Sequence, residues 1–226
     1  ALAGRYRQRV HICHVPHPDD LLAIEAARQR GVQATCEVTP HHLFLSGDAV
    51  QRLGAYARMK PPLVSPAEVA QYWDRLSLVD IIATDHAPHT RAEKESPAAP
   101  PGVPGLETAL PLALYAVDRG RLSLDRLIDL MHRNPLRVYG LCAPPDSRVE
   151  LDLGEPYRLP FEGYRTRCGW SPFVDQWAWG ASGVSACAAG SSMTKAKSWQ
   201  SPAMAGLWRA LLCDLCEFAR SVRKEK

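Results

Sequence analysis

Three short apolar runs in this 226-residue chain end in side chains that can bind metal or move protons. Arg9 to Val15 (RVHICHV) closes on Cys13 and His14, and Gln33 to Val38 (QATCEV) runs into Thr39, Pro40, His41 and His42. Ile81 to Thr90 (IIATDHAPHT) stops on Asp85, His86 and His89, with Pro88 blocking further strand pairing. A buried strand that ends on imidazoles and carboxylates is how a parallel α/β protein presents reactive groups at one edge of its sheet. His14, Glu37, His41, His42, Asp85 and His89 all fall at or just past such an end. A mixed imidazole and carboxylate set with few thiols suits zinc or a similar divalent ion in a hydrolytic site. Cys13 and His14 are neighbours, and neighbouring strand residues point to opposite faces, so both reach one site only where the strand bends. His11 and His132 lack this setting and read as structural; His17 reads as a solvated loop residue.

The elements that must position these groups alternate. Strands over 9–15, 33–38 and 81–84 are separated by helical stretches. Pro18 to Gly31 opens on proline and two acids and closes on glycine, a well-capped amphipathic helix. Ser46 to Gly54 and Pro66 to Leu76 read as helices, the second with Val69, Tyr72, Trp73 and Leu76 on one stripe. Met59 to Leu63 is extended, because the residue before a proline is pushed out of the helical region. Arg91 to Gly105 reads as a long proline-rich loop. Helices come next over Leu106 to Arg119, with Glu107 in the first turn, and over Ser123 to His132, where Asn134-Pro135 breaks the pattern before a turn at Leu136 to Leu141. The order β, α, β, α, α, β, α implies parallel strands with helical crossovers, all ending at one edge. Three strands cannot close a barrel of eight, so the fold expected is α/β, the C-terminal part of a (β/α)8 barrel.

Composition narrows the remaining classes. An apolar content of 46% supports a real core, and a net charge of +3 is too small to argue for a nucleic-acid or membrane-surface partner. No run of about 18 apolar residues is present and the N-terminus lacks the apolar core of a secretory signal, so a cytoplasmic address is expected. Seven cysteines without regular spacing suit a reducing compartment, and Cys213 and Cys216 read as helix residues.

VHICHV, TCEVTPHHLFLS, ATDHAPHT, PPGVPGLETALPLAL and NPLRVYGL together resemble the dihydroorotases of the amidohydrolase superfamily, in particular the dihydroorotase domains of animal multifunctional pyrimidine enzymes. The resemblance runs from about Val10 to Trp170, and His89 after Ala87-Pro88 favours dihydroorotases over hydantoinases and allantoinases. It implies reversible cyclisation of N-carbamoyl-L-aspartate to dihydroorotate in pyrimidine biosynthesis, with two or three zinc ions per complete site. It implies that His14 and Asp85 are zinc ligands, that Asp85 also shuttles the proton, and that Cys13, Glu37 and His42 hold part of a further zinc. His89 matches a residue that binds the substrate carboxylate, and Pro101 a backbone contact to the ring. Lys60 stands where the animal pattern has an arginine, which changes a planar clamp to a point charge. The resemblance also implies a place within a larger multifunctional, oligomeric polypeptide.

The family's H-x-H pair, bridging carboxylated lysine and other zinc histidine belong upstream of Ala1, so the chain alone is expected to have little or no activity. The expected division is a partial barrel over 1–145, the start of a small β domain over 146–173, and a non-homologous tail, disordered or out of frame, over 174–226. Leu207 to Arg220 retains amphipathic helical spacing. The competing reading is a non-catalytic amidohydrolase-like interaction module, or a fragment that completes its barrel against a partner.

Overall fold

The computed structural model describes residues 2–143, 148–150, 155–180 and 185–187. In chain order these hold Leu2–Tyr6 (α1), Val10–Ile12 (β1), Pro18–Gln29 (α2), Ala34–Val38 (β2), Pro40–Phe44 (α3), Gly47–Leu53 (α4), Pro66–Asp74 (α5) and Ile81–Ile82 (β3). Then come Arg91–Lys94 (α6), Leu106–Asp118 (α7), Leu124–Ile128 (α8), Asn134–Tyr139 (α9), Arg148–Glu150 (β4), Tyr157–Arg158 (β5), Trp177–Ala178 (β6) and Ser185–Cys187 (β7). Two compact units divide the chain: Ala1–Cys142 with Leu151–Val184, and Ala143–Glu150 with Ser185–Lys226. In the second, β4 and β7 pair antiparallel.

The first unit carries the expected alternation. β1, β2 and β3 pair in parallel in that order, with His11 opposite Thr35, Ile12 opposite Cys36 and Val38 opposite Ile82. Because strand side chains alternate, this register decides the faces. Ile12, Cys36, Val38 and Ile82 join a core with Leu21 of α2, Leu43 of α3, Tyr72 of α5 and Ala113 of α7. His11, Cys13, Thr35 and Glu37 therefore alternate to the opposite face. The helix side is anchored by aromatic tips that find backbone carbonyls: Tyr72 donates to Val15 O at 2.8 Å and Trp73 Nε1 to Leu43 O at 2.8 Å. At the other end of the strands, Arg28 donates to Ala34 O at 2.9 Å and Leu78 O at 2.8 Å and pairs with Asp80.

Several expectations change. His17 is not a free loop residue: its Nδ1 accepts from Asp19 N at 3.2 Å, capping α2, and its Nε2 lies 2.8 Å from Glu68 at the start of α5. The polar Thr39–His42 run is the first turn of α3, with Thr39 Oγ1 accepting from His42 N at 3.2 Å. The loop expected over Arg91 to Gly105 opens with α6, stabilised by a reciprocal Thr90–Glu93 cap. Asn134-Pro135 does not break the last helical stretch. A wider π-turn over Asp129–Arg133 shifts the hydrogen-bond ladder, so that Pro135, which has no N–H to give, falls in the first turn of α9. Within the region read as an irregular tail, Trp177–Ala178 pairs antiparallel with Tyr157–Arg158. Leu207 to Arg220 lies outside the described residues.

One knot shapes the loops after β3. Lys94 is 1% exposed, and its ammonium donates to three carbonyls: Pro100 at 2.9 Å, Gly102 at 3.0 Å and Arg58 at 3.3 Å. Burial pulls its pKa down to about 8. Gly102 passes so close to Ala87 that a Cβ there would lie 2.8 Å from the alanine methyl, and its φ of 128° is open only to glycine. Buried Trp170 packs beside the knot and donates Nε1–H to His89 O at 2.7 Å.

Lys94 and Glu68 each carry stability that can be measured. Replacing Lys94 by Met keeps the volume but strands three carbonyls, at about 1–3 kcal/mol, so urea denaturation at neutral pH should find Lys94→Met less stable by that amount. Glu68 is held at about 2 by hydrogen bonds from Ser65 and His17. Its folded pKa lies below the ordinary value of 4.5, so its contribution is present above pH 4.5 and lost as pH falls toward 2. Thermal melts of Glu68→Gln should start below the parent chain at neutral pH and converge with it under acid. A gap as wide at about pH 2 as at neutral pH contradicts this assignment.

Candidate active-site edge

β1 stops at Ile12, and the backbone turns at His14, whose φ of 34° lies in the left-handed region that β-strands never visit. Val15 N then donates to Glu37 O at 2.9 Å and His14 N to Glu37 Oε1 at 3.3 Å. This is the bend that neighbouring Cys13 and His14 require to serve one edge. Asp85, at the end of β3, has φ 43°, the same departure from strand geometry. Two left-handed non-glycine residues at the ends of nearby parallel strands are a local strain of the kind that accompanies functional sites.

The sheet's open face holds a compact polar group. His11 Nε2 lies 3.0 Å from Glu37 Oε2, and His11 Nδ1 lies 2.8 Å from Thr35 Oγ1. One ligand atom from each of His11, Cys13 and Glu37 falls within 4.8 Å of the others. Glu37 is buried, while Cys13 is exposed; partial desolvation and then the Glu37 and Asp85 charges push its thiol pKa up.

Two more imidazoles lie tilted against each other. His41 and His42 are both buried, with ring centroids 4.7 Å apart. Burial, reinforced by the charges of His42 and His14, holds His41 well below the usual imidazole range. Burial also lowers His42, opposed by the Pro62 carbonyl and by Asp85. His42 Nδ1 lies 2.8 Å from Thr39 Oγ1 and its Nε2 lies 3.2 Å from Pro62 O. His14 Nδ1 and His41 Nε2 are buried without a hydrogen-bond partner.

On the β3 side the two expected substrate contacts are brought together: His89 Nε2 lies 3.2 Å from Pro101 O. Lys60 is exposed, two residues before the Pro62 carbonyl that meets His42. His86, grouped by sequence with Asp85 and His89, has a different task. Its Nδ1 accepts from Gly105 N at 3.1 Å and Leu106 N at 3.3 Å, capping α7 where Gly105 offers no side chain. Burial, opposed by the Glu107 charge, lowers its pKa, in the direction that favours an unprotonated acceptor.

The residues present suit a borderline divalent ion. Imidazole, thiolate and carboxylate donors converge on one face, and an unpartnered buried nitrogen such as His14 Nδ1 is costly unless something coordinates it. Held there by His14, Cys13, Glu37 or Asp85, zinc would supply Lewis acidity toward an amide carbonyl and a lowered pKa for water. Sequence reading missed His11, although His11 and Cys13 stand two apart on β1, as Thr35 and Glu37 do on β2, the spacing that shares a face. It also missed Lys94 and Trp170, which hold the His89 loop from below and leave no periodic signal.

No family model matches the chain. The chain is 42% identical over 173 residues to multifunctional protein pyr1-3 of Dictyostelium discoideum, covering 76% of this chain and 8% of that protein. It is 43% identical over 175 residues to a dihydroorotase of Halobacterium salinarum, covering 73% of this chain and 40% of that one. Among solved structures, the L-hydantoinase of Arthrobacter aurescens aligns with a TM-score of 0.72 at 30% identity, over 77% of this chain and 42% of that one. The inactive dihydroorotase-like domain of a Chaetomium thermophilum CAD-like multifunctional protein aligns at 0.63 and 29%, over 79% and 49%. The chain thus spans less than half the length of each of these four proteins. Over the matched stretch it is a homologue of the dihydroorotases and carries part of the α/β barrel of the amidohydrolases, hydrolases of cyclic amides.

Proposed function

We propose that this chain supplies one side of a zinc-dependent dihydroorotase site that interconverts N-carbamoyl-L-aspartate and dihydroorotate in pyrimidine biosynthesis, and that it is inactive by itself. The observation that carries this reading is the meeting of His89 Nε2 and Pro101 O at 3.2 Å, four residues along the chain from the left-handed Asp85. The two groups meet each other in the free chain; parted by a cyclic substrate, they would offer a donor to its carboxylate and an acceptor to its ring N–H. His89 would anchor the carboxylate, and Pro101 O would accept from the ring.

In the hydrolytic direction a C–O bond forms at the ring amide carbon and the C–N bond breaks. Asp85 would accept the proton that the attacking water gives up and return it to the leaving nitrogen. It stands exposed just past the end of β3, on backbone that cannot continue the strand. Lys60 would add a diffuse positive charge for the carboxylate rather than a bidentate clamp. The cytoplasm is the compartment this chemistry implies, within a larger, oligomeric polypeptide; the name of the pyr1-3 relative supports the multifunctional part of this reading.

The inactive neighbour from Chaetomium thermophilum favours a second reading, in which this chain is a non-catalytic module with a dihydroorotase-like surface. One experiment separates them. The chain, purified with zinc, should open no dihydroorotate. Joined in frame behind the part of the Halobacterium salinarum enzyme that it does not cover, it should turn dihydroorotate over, and Asp85→Asn in that chimera should lower kcat by about 10²–10⁴-fold. A folded, zinc-loaded chimera without turnover would favour the non-catalytic module. Turnover by the chain alone would show that it needs no other half.

A further inference from the structure

The zinc that the family resemblance places on Cys13, Glu37 and His42 meets an obstacle here. Both ring nitrogens of His42 are engaged, Nδ1 with Thr39 Oγ1 at 2.8 Å and Nε2 with Pro62 O at 3.2 Å. The ring is fully buried against His41 and Tyr72. To ligate, His42 would have to give up one of these contacts while fully buried. His11 also has both nitrogens engaged, but one of them meets a carboxylate that can itself bind the metal. Its Nε2 already points at Glu37, 3.0 Å away, and its other nitrogen is steered by Thr35 at 2.8 Å. That is the arrangement in which a metal-binding imidazole has its ring orientation fixed by a hydrogen bond through the second nitrogen.

We propose that His11, Cys13 and Glu37 form a metal centre in this chain, a site of one imidazole, one thiolate and one carboxylate that takes zinc or cobalt(II) and leaves a fourth position open to solvent. The frame is backbone. His11 and Cys13 stand two apart on one face of the β1 end, Thr35 and Glu37 two apart on β2, and His11 pairs in register with Thr35. Ligand atoms about 2.0–2.3 Å from a tetrahedral zinc lie roughly 3.3–3.8 Å apart. The observed separations, all within 4.8 Å, close to that range by rotation of the exposed Cys13 side chain. The hydrogen bond between His11 and Glu37 marks the place where a proton stands between two groups that a cation would bridge. Binding by this set does not depend on turnover, so it can stand or fall apart from the catalytic reading.

Cobalt(II) titrated into the full chain tests it through the thiolate-to-metal charge-transfer absorption, with Cys13→Ser defining the share due to this cysteine among the seven. The expected result is one Cys13-dependent cobalt per chain. Affinity should fall by about 10–100-fold or more in His11→Ala and in Glu37→Gln, and stay within about twofold in His42→Gln, circular dichroism confirming that each variant is folded. Histidine ring NMR of the unaltered chain needs no variant, and zinc should shift His11 and leave His42 in place. Absence of a Cys13-dependent band, loss of binding in folded His42→Gln, or a zinc shift at His42 instead of His11 would each overturn the assignment.

Discussion

The pairing of β1 with β2 is the constraint on which the rest of the site depends. With His11 opposite Thr35, the two strands send Ile12, Cys36 and Val38 into the helices and turn His11, Cys13, Thr35 and Glu37 the other way. A slip of one residue would bury the imidazole and carboxylate in the apolar core and leave that core without its strand contribution. Burial of Cys36 and Val38 at 0% exposure fixes the register far more strongly than any polar contact could, and the polar face inherits its precision from the apolar one. The site is thus a by-product of core packing in its positions and of sequence choice only in its side chains.

The β3 side is built differently. Two paired residues make a short strand, and the loops beyond it are held by side chains rather than by a ladder. Lys94 gathers the carbonyls of Arg58, Pro100 and Gly102, Trp170 takes that of His89, and His86 caps α7. Each tie satisfies a backbone group that a loop would otherwise expose to an apolar neighbourhood. Their joint effect is to set His89 against Pro101. One half of the edge is therefore positioned by register, the other by donors reaching across sequence separations of up to 81 residues.

This difference explains how much of the molecule is legible in its sequence. The strands, α2, α5 and α7 carry periodic apolar patterns, caps and prolines, and their existence and order can be read directly. So can the gathering of Cys13, Glu37, His42, Asp85 and His89 near strand ends, because a strand's end is marked by where its apolar run stops. His11 escapes because it sits inside the run, where an isolated polar residue reads as structural; only the partner strand's Thr35 and Glu37 give it company. α6 and the π-turn before Pro135 escape for another reason. A four-residue helix has no measurable period, and its Thr90–Glu93 cap is a local signal that a proline-rich surrounding masks. The Lys94 knot cannot be read at all, since its acceptors are backbone atoms common to every sequence.

His14 and His41 expose the tension between folding and chemistry at this edge. Each buries a ring nitrogen without a hydrogen-bond partner, while the nearby His42 has both of its nitrogens satisfied. In a core selected for stability alone, such nitrogens would be paired or replaced by carbon, because each orphan costs on the order of 1–3 kcal/mol. The left-handed backbone at His14 adds to that cost at the same residue. Strain and an unmet donor or acceptor at one position are hard to account for by packing, and they coincide where parallel strands end. The two orphan nitrogens and the left-handed turn thus mark this strand edge as the part of the core where packing leaves polar atoms unmet.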